Sequence, residues 1–187
     1  MSRTEKVKTA LLSIEREGIK ELVNYMEEVG FFTSPGSTKF HGNYEGGLVD
    51  HCINLYNLFK QLCLQYNLNV NKETMLICAF GHDLCKAGAY INNGNRIQWN
   101  KEHPSGHAKL SLGRIKQFIT LTDEEEGIIK YHMGMYGTHE FMNLSNWRVG
   151  KGEYSLQELS NYWNNNKVSK LFYFCDDTVS QFKDIKK

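Results

Sequence analysis

The pair His82-Asp83, in the run Ala79-Phe80-Gly81-His82-Asp83-Leu84-Cys85-Lys86, sets an imidazole beside a carboxylate at the end of an apolar stretch. A lysine follows three residues after the aspartate. Adjacent side chains on a helix point about 100° apart. Such a pair can therefore grip neighbouring positions of one metal ion, or one of the two can bridge a pair of ions. Alone it says little. His51 upstream, His107 and His132 downstream, and Asp176 near the C-terminus give it company. Imidazole-rich ligation favours Mn, Fe, Co, Ni or Zn, one ion or two, over Mg, which prefers oxygen ligands and keeps its waters. Two divalent ions and two aspartates would carry a charge of about +2, which attracts phosphate and lowers the pKa of a coordinated water. Hydrolysis at phosphorus is the chemistry that follows.

These residues need helices to hold them. Val7, Leu11, Leu12, Ile14, Ile19, Leu22, Val23 and Met26 form an apolar stripe that predicts one helix over 4–29, stopped at Gly30. A loop rich in Gly, Ser and Thr fills 31–47. The next helix, over 48–66, carries His51. Asn71 caps a helix over 72–85 that ends on the His-Asp pair. Asn92-Asn93-Gly94-Asn95, between Tyr90-Ile91 and Arg96-Ile97-Gln98-Trp99, signals a β-hairpin at 90–99. Helices over 105–119 and 123–133 follow, the second opened by the capping box Thr122-Asp123-Glu124-Glu125. Residues 134–153 hold four glycines and read as irregular. Helices over 156–163 and 168–182 close an all-α helical bundle with one small hairpin excursion. Metal sites in such proteins are built from side chains that project inward from facing helices.

At 187 residues the chain reads as one domain with room for a proper core. Hydrophobic residues make up 41% and charged residues 23%, and the formal net charge is +1. That balance argues against strong non-specific binding to nucleic acid or membrane. The N-terminus leads straight into mixed charge, unlike a signal peptide, and no apolar run approaches the roughly 20 residues of a membrane span. Five cysteines without C-x-x-C pairing read as reduced core thiols of a cytoplasmic protein.

The spacing of His51, His82-Asp83 and Asp176 resembles the HD-domain metal-dependent phosphohydrolases. Tyr44-Glu45-Gly46-Gly47-Leu48-Val49-Asp50-His51 is similar to that family's entry into its first ligand helix. Gly81-His82-Asp83-Leu84-Cys85-Lys86 is similar to its His-Asp-x-x-Lys, with Cys85 where a glycine or small residue is usual. Cys175-Asp176-Asp177-Thr178-Val179-Ser180 resembles its last helix. The likeness spans about 41–182, leaving 1–30 as a helix packed upon it. It implies His51, His82, Asp83 and Asp176 around one metal, with Asp83 bridging to a second that His107 and His132 complete. Where the cyclic-di-nucleotide phosphodiesterases of the family have two consecutive histidines, this chain has His132-Met133, which leaves one or two ions open. The resemblance places Asp83 and Lys86 in catalysis, the lysine meeting a phosphate, with a metal-activated water as nucleophile.

Rivals stand beside several of these residues. Asp177 competes with Asp176, and His103 with His107. His41, in the glycine-rich loop, and Arg148, beside Trp147, are candidates for substrate contact, and His139 is expected at the surface. The acidic run 123–126 reads as helix-start charge favoured by the dipole, not a metal site. Trp99, Trp147, Trp163, Tyr90, Tyr131 and Tyr136 are aromatics that either pack or stack on a base. The expected substrate is a small-molecule nucleotide or deoxynucleotide. One alternative is a phosphodiesterase acting on cyclic nucleotides, short oligonucleotides or RNA 3′ ends, since 41–51 resembles the HD part of a bacterial 3′-to-5′ exoribonuclease family. The other is a non-catalytic, metal-containing nucleotide sensor. A homo-oligomer is compatible with each.

Overall fold

The structure, a computed structural model, describes residues 1–37, 42–92, 97–104, 106–144 and 152–184. Among them the chain is 62% helical, with nine α-helices and one two-stranded hairpin. The mostly-α expectation therefore holds. None of these helices is long and apolar enough to cross a membrane.

The first helical stretch differs from its prediction. It is two helices, α1 (Arg3–Leu12) and α2 (Ile19–Glu28). Gly18 takes a left-handed conformation (φ 82°) and lies against the Phe118 carbonyl, where a Cβ would come within 1.8 Å. The apolar spacing runs on across this break because Leu11, Ile14 and Ile19 all stay in the core. The turn swings Arg16 inward. Its guanidinium donates to both oxygens of the fully buried Glu125, at 2.7 and 3.1 Å. Glu125 also accepts from Thr74 Oγ1 at 2.9 Å and from the Thr122 backbone N–H at 2.9 Å. The acidic run at 123–126 thus opens a helix, as expected, but one of its members is also the anion of a buried ion pair.

α3 (Gly47–Gln65) buries Leu48, His51, Cys52, Leu55, Phe59 and Cys63, a stripe at three- and four-residue steps. It begins at a glycine because the Gly42 carbonyl packs where a Cβ would stand, 2.0 Å from that carbonyl oxygen. α4 (Lys72–Gly81) is apolar nearly all round and buries every residue from Thr74 to Gly81, as a central helix must. Asn71 caps it through the Thr74 N–H at 2.8 Å. α4 is shorter than predicted. It stops at Gly81, and His82-Asp83 lead into a 3-10 turn, Leu84–Lys86.

Strands β1 (Tyr90–Asn92) and β2 (Ile97–Trp99) pair antiparallel, Tyr90 opposite Trp99. The Asn-Gly turn expected between them lies outside the described residues. α5 (Ala108–Ile115) and α6 (Asp123–Tyr131) follow, the latter opened by the Thr122/Glu125 capping box. Residues 134–144, expected to be irregular, form a 3-10 turn (Gly134–Gly137) and a short α7 (His139–Leu144). α8 (Leu156–Asn165) and α9 (Lys167–Phe182) complete the chain.

α3 packs on α4 and α9, α6 packs on α4, α5 and α9, and α1 packs on α2 and α4. Phe59 of α3 meets Phe172 of α9 edge-on at 5.1 Å. Each is fully buried, a burial that contributes about 2–3 kcal/mol. A smaller cluster of Tyr131, Tyr154 and Leu159, with Tyr162 and Trp163 against it, joins α8 to the end of α6. All five cysteines are free and buried.

Candidate metal centre

His51 lies in the second turn of α3 and Asp176 mid-way along α9, and both reach the end of α4. His82 and His132 reach the same place by one shared device. Each is the residue just after a helix, α4 and α6 respectively. Each spends its Nδ1–H on the carbonyl three residues back, His82 on Ala79 at 3.0 Å and His132 on Ile129 at 2.7 Å. A carbonyl only accepts, so Nδ1 carries a proton in each ring and Nε2 is the nitrogen that faces inward. The bond also satisfies one of the last-turn carbonyls that a helix end leaves without a partner.

These inward nitrogens meet the carboxylates in two groups. In the first, His51 Nε2 is 3.3 Å from His82 Nε2 and 3.0 Å from Asp176 Oδ1. Asp83 Oδ2 stands 3.4 Å from His82 Nε2 and 3.9 Å from His51 Nε2. In the second, Asp83 Oδ1 is 2.8 Å from His107 Nε2 and 3.8 Å from His132 Nε2. Asp83 belongs to both. Its φ and ψ of −105° and 17° are not helical, which turns its carboxylate between the two groups.

The six residues singled out in sequence thus converge. Asp176, not Asp177, faces the histidines. His103 is turned away, hydrogen-bonded to the Pro104 carbonyl and to Arg114. His139 is exposed. His41, Arg148 and Trp147 lie outside the described residues. Trp99 and Tyr90 pack on each other at 5.6 Å, with His103 against Trp99.

Three neighbours of the cluster escaped the sequence reading. Asp184, just past α9, accepts from His51 Nδ1 at 2.7 Å. Glu153 caps the start of α5, accepting from the backbone N–H groups of His107, Ala108 and Lys109 at 2.5, 3.1 and 2.8 Å. Cys85 Sγ lies 3.2 Å from His107 Nδ1. Both carboxylates reach across long stretches of sequence, so no local spacing announces them. The residues around Glu153 are held by its own N–H to Gly137 O (2.9 Å), His139 N–H to Tyr154 O (2.9 Å) and the Tyr154 hydroxyl to Gly134 O (2.8 Å).

The electrostatics are those of an uncompensated site. Burial opposes charge on Asp83, yet Lys86, His82 and His107 hold its carboxyl well below the usual range. Lys86 Nζ sits 2.6 Å from Asp83 Oδ2, its side chain only 15% exposed. Burial opposes a proton on His51 too, but Asp176 and Asp184 outweigh it and push His51 up to about 9. His132 goes the other way, down to about 3, through burial and then the neighbouring His82 and His107.

Among the described residues three buried side-chain polar atoms are left without a hydrogen bond, Trp163 Nε1 and, in the cluster, Asp83 Oδ1 and His132 Nε2. His107 Nε2 is near Asp83 Oδ1, but the pair misses hydrogen-bond geometry. Orphaned atoms of this kind are costly, and a cation is what a lone-pair nitrogen and a carboxylate oxygen aimed at one point share. His51/His82/Asp176, His82/Asp83/His132 and Asp83/Cys85/His107 are three buried or half-buried groups that could hold a metal ion. No family model matches this chain, and no curated protein or solved structure matches it either.

Proposed function

We propose that the chain is a metal-dependent phosphohydrolase that cleaves a phosphate ester or anhydride of a nucleotide or deoxynucleotide. One observation carries the reading: four imidazoles and two carboxylates from distant helices meet in overlapping groups linked through His82 and Asp83, with the unpartnered Asp83 Oδ1 and His132 Nε2 among them. The motif resemblance through His51, His82-Asp83-x-x-Lys86 and Asp176 supports the same chemistry. In this reading His51, His82, Asp83 and Asp176 hold one ion, and Asp83, His107 and His132 hold a second. Mn, Fe, Co, Ni or Zn suits such a donor set. When bound, the ions supply charge neutralisation on phosphate oxygens and a water of lowered pKa.

The chain's own groups do the rest. Asp83 would contribute a carboxylate oxygen to each position. Lys86, a compact charge on a flexible stem, is the cation at the cluster and is suited to a phosphate oxygen. Tyr90, whose phenol burial pushes up to about 12, stays a neutral donor near Lys86 and Asp83. The five unpaired thiols support a reducing, cytoplasmic setting.

The test is a product assay. Metal-loaded protein is incubated with nucleoside mono-, di- and triphosphates, cyclic dinucleotides and short RNA, and the products are resolved. Release of phosphate, pyrophosphate or triphosphate from mononucleotides is the expected result. Cleavage of diesters alone would replace it with the phosphodiesterase reading, and binding without turnover across all five metals with the sensor reading. A second expectation concerns Glu153. Glu153→Ala removes three hydrogen bonds from the first turn of α5 and frees His107 to tilt. The second ion should bind about 10–100-fold more weakly by calorimetric titration, with the first unchanged.

A further inference from the structure

The two metal positions are not equivalent, and the difference lies behind the ligands. His82 and His132 rest on neutral backbone carbonyls and His107 on a thiol. His51 alone of the four rests on a carboxylate, that of Asp184.

Every polar atom of Asp184 is engaged. Its N–H donates to the Val179 carbonyl at 3.1 Å, which locks it onto the end of α9. Its carbonyl accepts from the Gly42 N–H at 3.2 Å. Oδ1 accepts from Asn54 Nδ2 at 2.9 Å, one turn along α3 from His51. Oδ2 accepts from His51 Nδ1 at 2.7 Å. The residue is 5% exposed. A side chain held at this many points is a pre-organised acceptor, not a mobile tail residue. A carboxylate behind an imidazole fixes its tautomer and ring orientation and raises its basicity as a ligand.

We infer that Asp184 is a positioning residue for the first metal position: it holds His51 as the Nδ1–H tautomer with Nε2 toward the ion, and so makes that position the tighter of the two. The inference rests on the metal-binding reading above. It also gives the segment beyond α9 a task, tying the ligand helix through Asn54 and the glycine-rich loop through Gly42 to one carboxylate.

Zinc titrations of metal-free protein test it in two backgrounds. In His132→Ala, which leaves the first position, adding Asp184→Ala should lower zinc affinity about 10–100-fold. In His51→Ala, which leaves the second, the same change should alter affinity by less than about 2-fold. Imidazole 15N spectra of the zinc-loaded chain should show His51 as the Nδ1–H form, and Asp184→Ala should abolish that uniform state. Asp184→Asn, which keeps an acceptor oxygen, should recover most of the affinity and serves if the alanine variant does not fold. Unchanged affinity in the first background overturns the inference. So does an equal loss in both backgrounds, which marks general loosening, or an asparagine variant no better than alanine. If the unaltered chain takes up no zinc, the metal reading falls and this falls with it. Zinc uptake indifferent to Asp184 sinks this inference alone.

Discussion

Asp83→Ala should empty both metal positions at once and lower turnover by at least about 10³-fold, since metal-based charge stabilisation is worth several kcal/mol. His82 is shared between two groups through a single nitrogen, whereas Asp83 has two oxygens to divide between its neighbours. Asp83 offers Oδ2 to His82 and His51 and Oδ1 to His107 and His132. Elemental analysis after reloading reads the result directly, and a variant that keeps a full complement of metal would refute the shared-carboxylate arrangement. Stability has to be separated from chemistry, because removing Asp83 also leaves Lys86 nearly buried without its 2.6 Å partner. Stripping one member from a buried pair costs about 3–5 kcal/mol. Asp83→Ala combined with Lys86→Met should recover much of that stability while recovering no metal.

An equally large effect on stability is expected away from the cluster. Glu125→Ala should destabilise the fold by about 3–5 kcal/mol, a fall in Tm of roughly 10 °C for a chain this size. It breaks a fork-to-fork bond with Arg16 and leaves the Thr74 hydroxyl and the Thr122 N–H without their acceptor. The pH dependence has a definite sign. Burial works to raise the Glu125 pKa, but Arg16, Thr122 and Thr74 outweigh it and hold it below its ordinary value of 4.5. The unfolded chain therefore takes up this proton first as pH falls. The contribution is complete above about pH 4.5 and is lost as pH drops through the lowered folded value. Urea unfolding of the native chain and of Glu125→Gln should show a stability gap at pH 7 that narrows steadily below pH 4.5. A gap that stays constant to pH 3 would argue that the carboxylate charge is not what binds Arg16.

Much of the architecture is legible from periodicity and caps. The stripe through Leu48, Leu55 and Phe59, the Asn71 cap and the Thr122/Glu125 box each act over a few residues, and each appears where local rules put it. The break at Gly18 is harder to read. Apolar residues on both sides of the turn reach one core, so the spacing mimics a continuous helix, and the left-handed glycine is explained by the Phe118 carbonyl a hundred residues away. The six clustered histidines and aspartates could be proposed together because they stand on or beside predicted helices and their spacing resembles a known motif. Asp184, Glu153 and the Arg16–Glu125 pair could not. Acids and arginines near loops are common, and their significance here comes from contacts made only once the chain has folded.

His82 and His132 each follow a helix end, and Asp83 stands at the junction of two helix trios. α3, α4 and α9 bring together the first group of ligands, and α4, α5 and α6 the second. The second trio is consecutive in the chain, but the first joins α3 and α4 to α9, so the first group is complete only once the last helix has packed. An ion arriving at both positions would clasp segments from residue 51 to residue 176, and would do so only after both trios had docked on α4. In folding terms the first group is an inspection point: a cation held there would require a chain folded as far as α9.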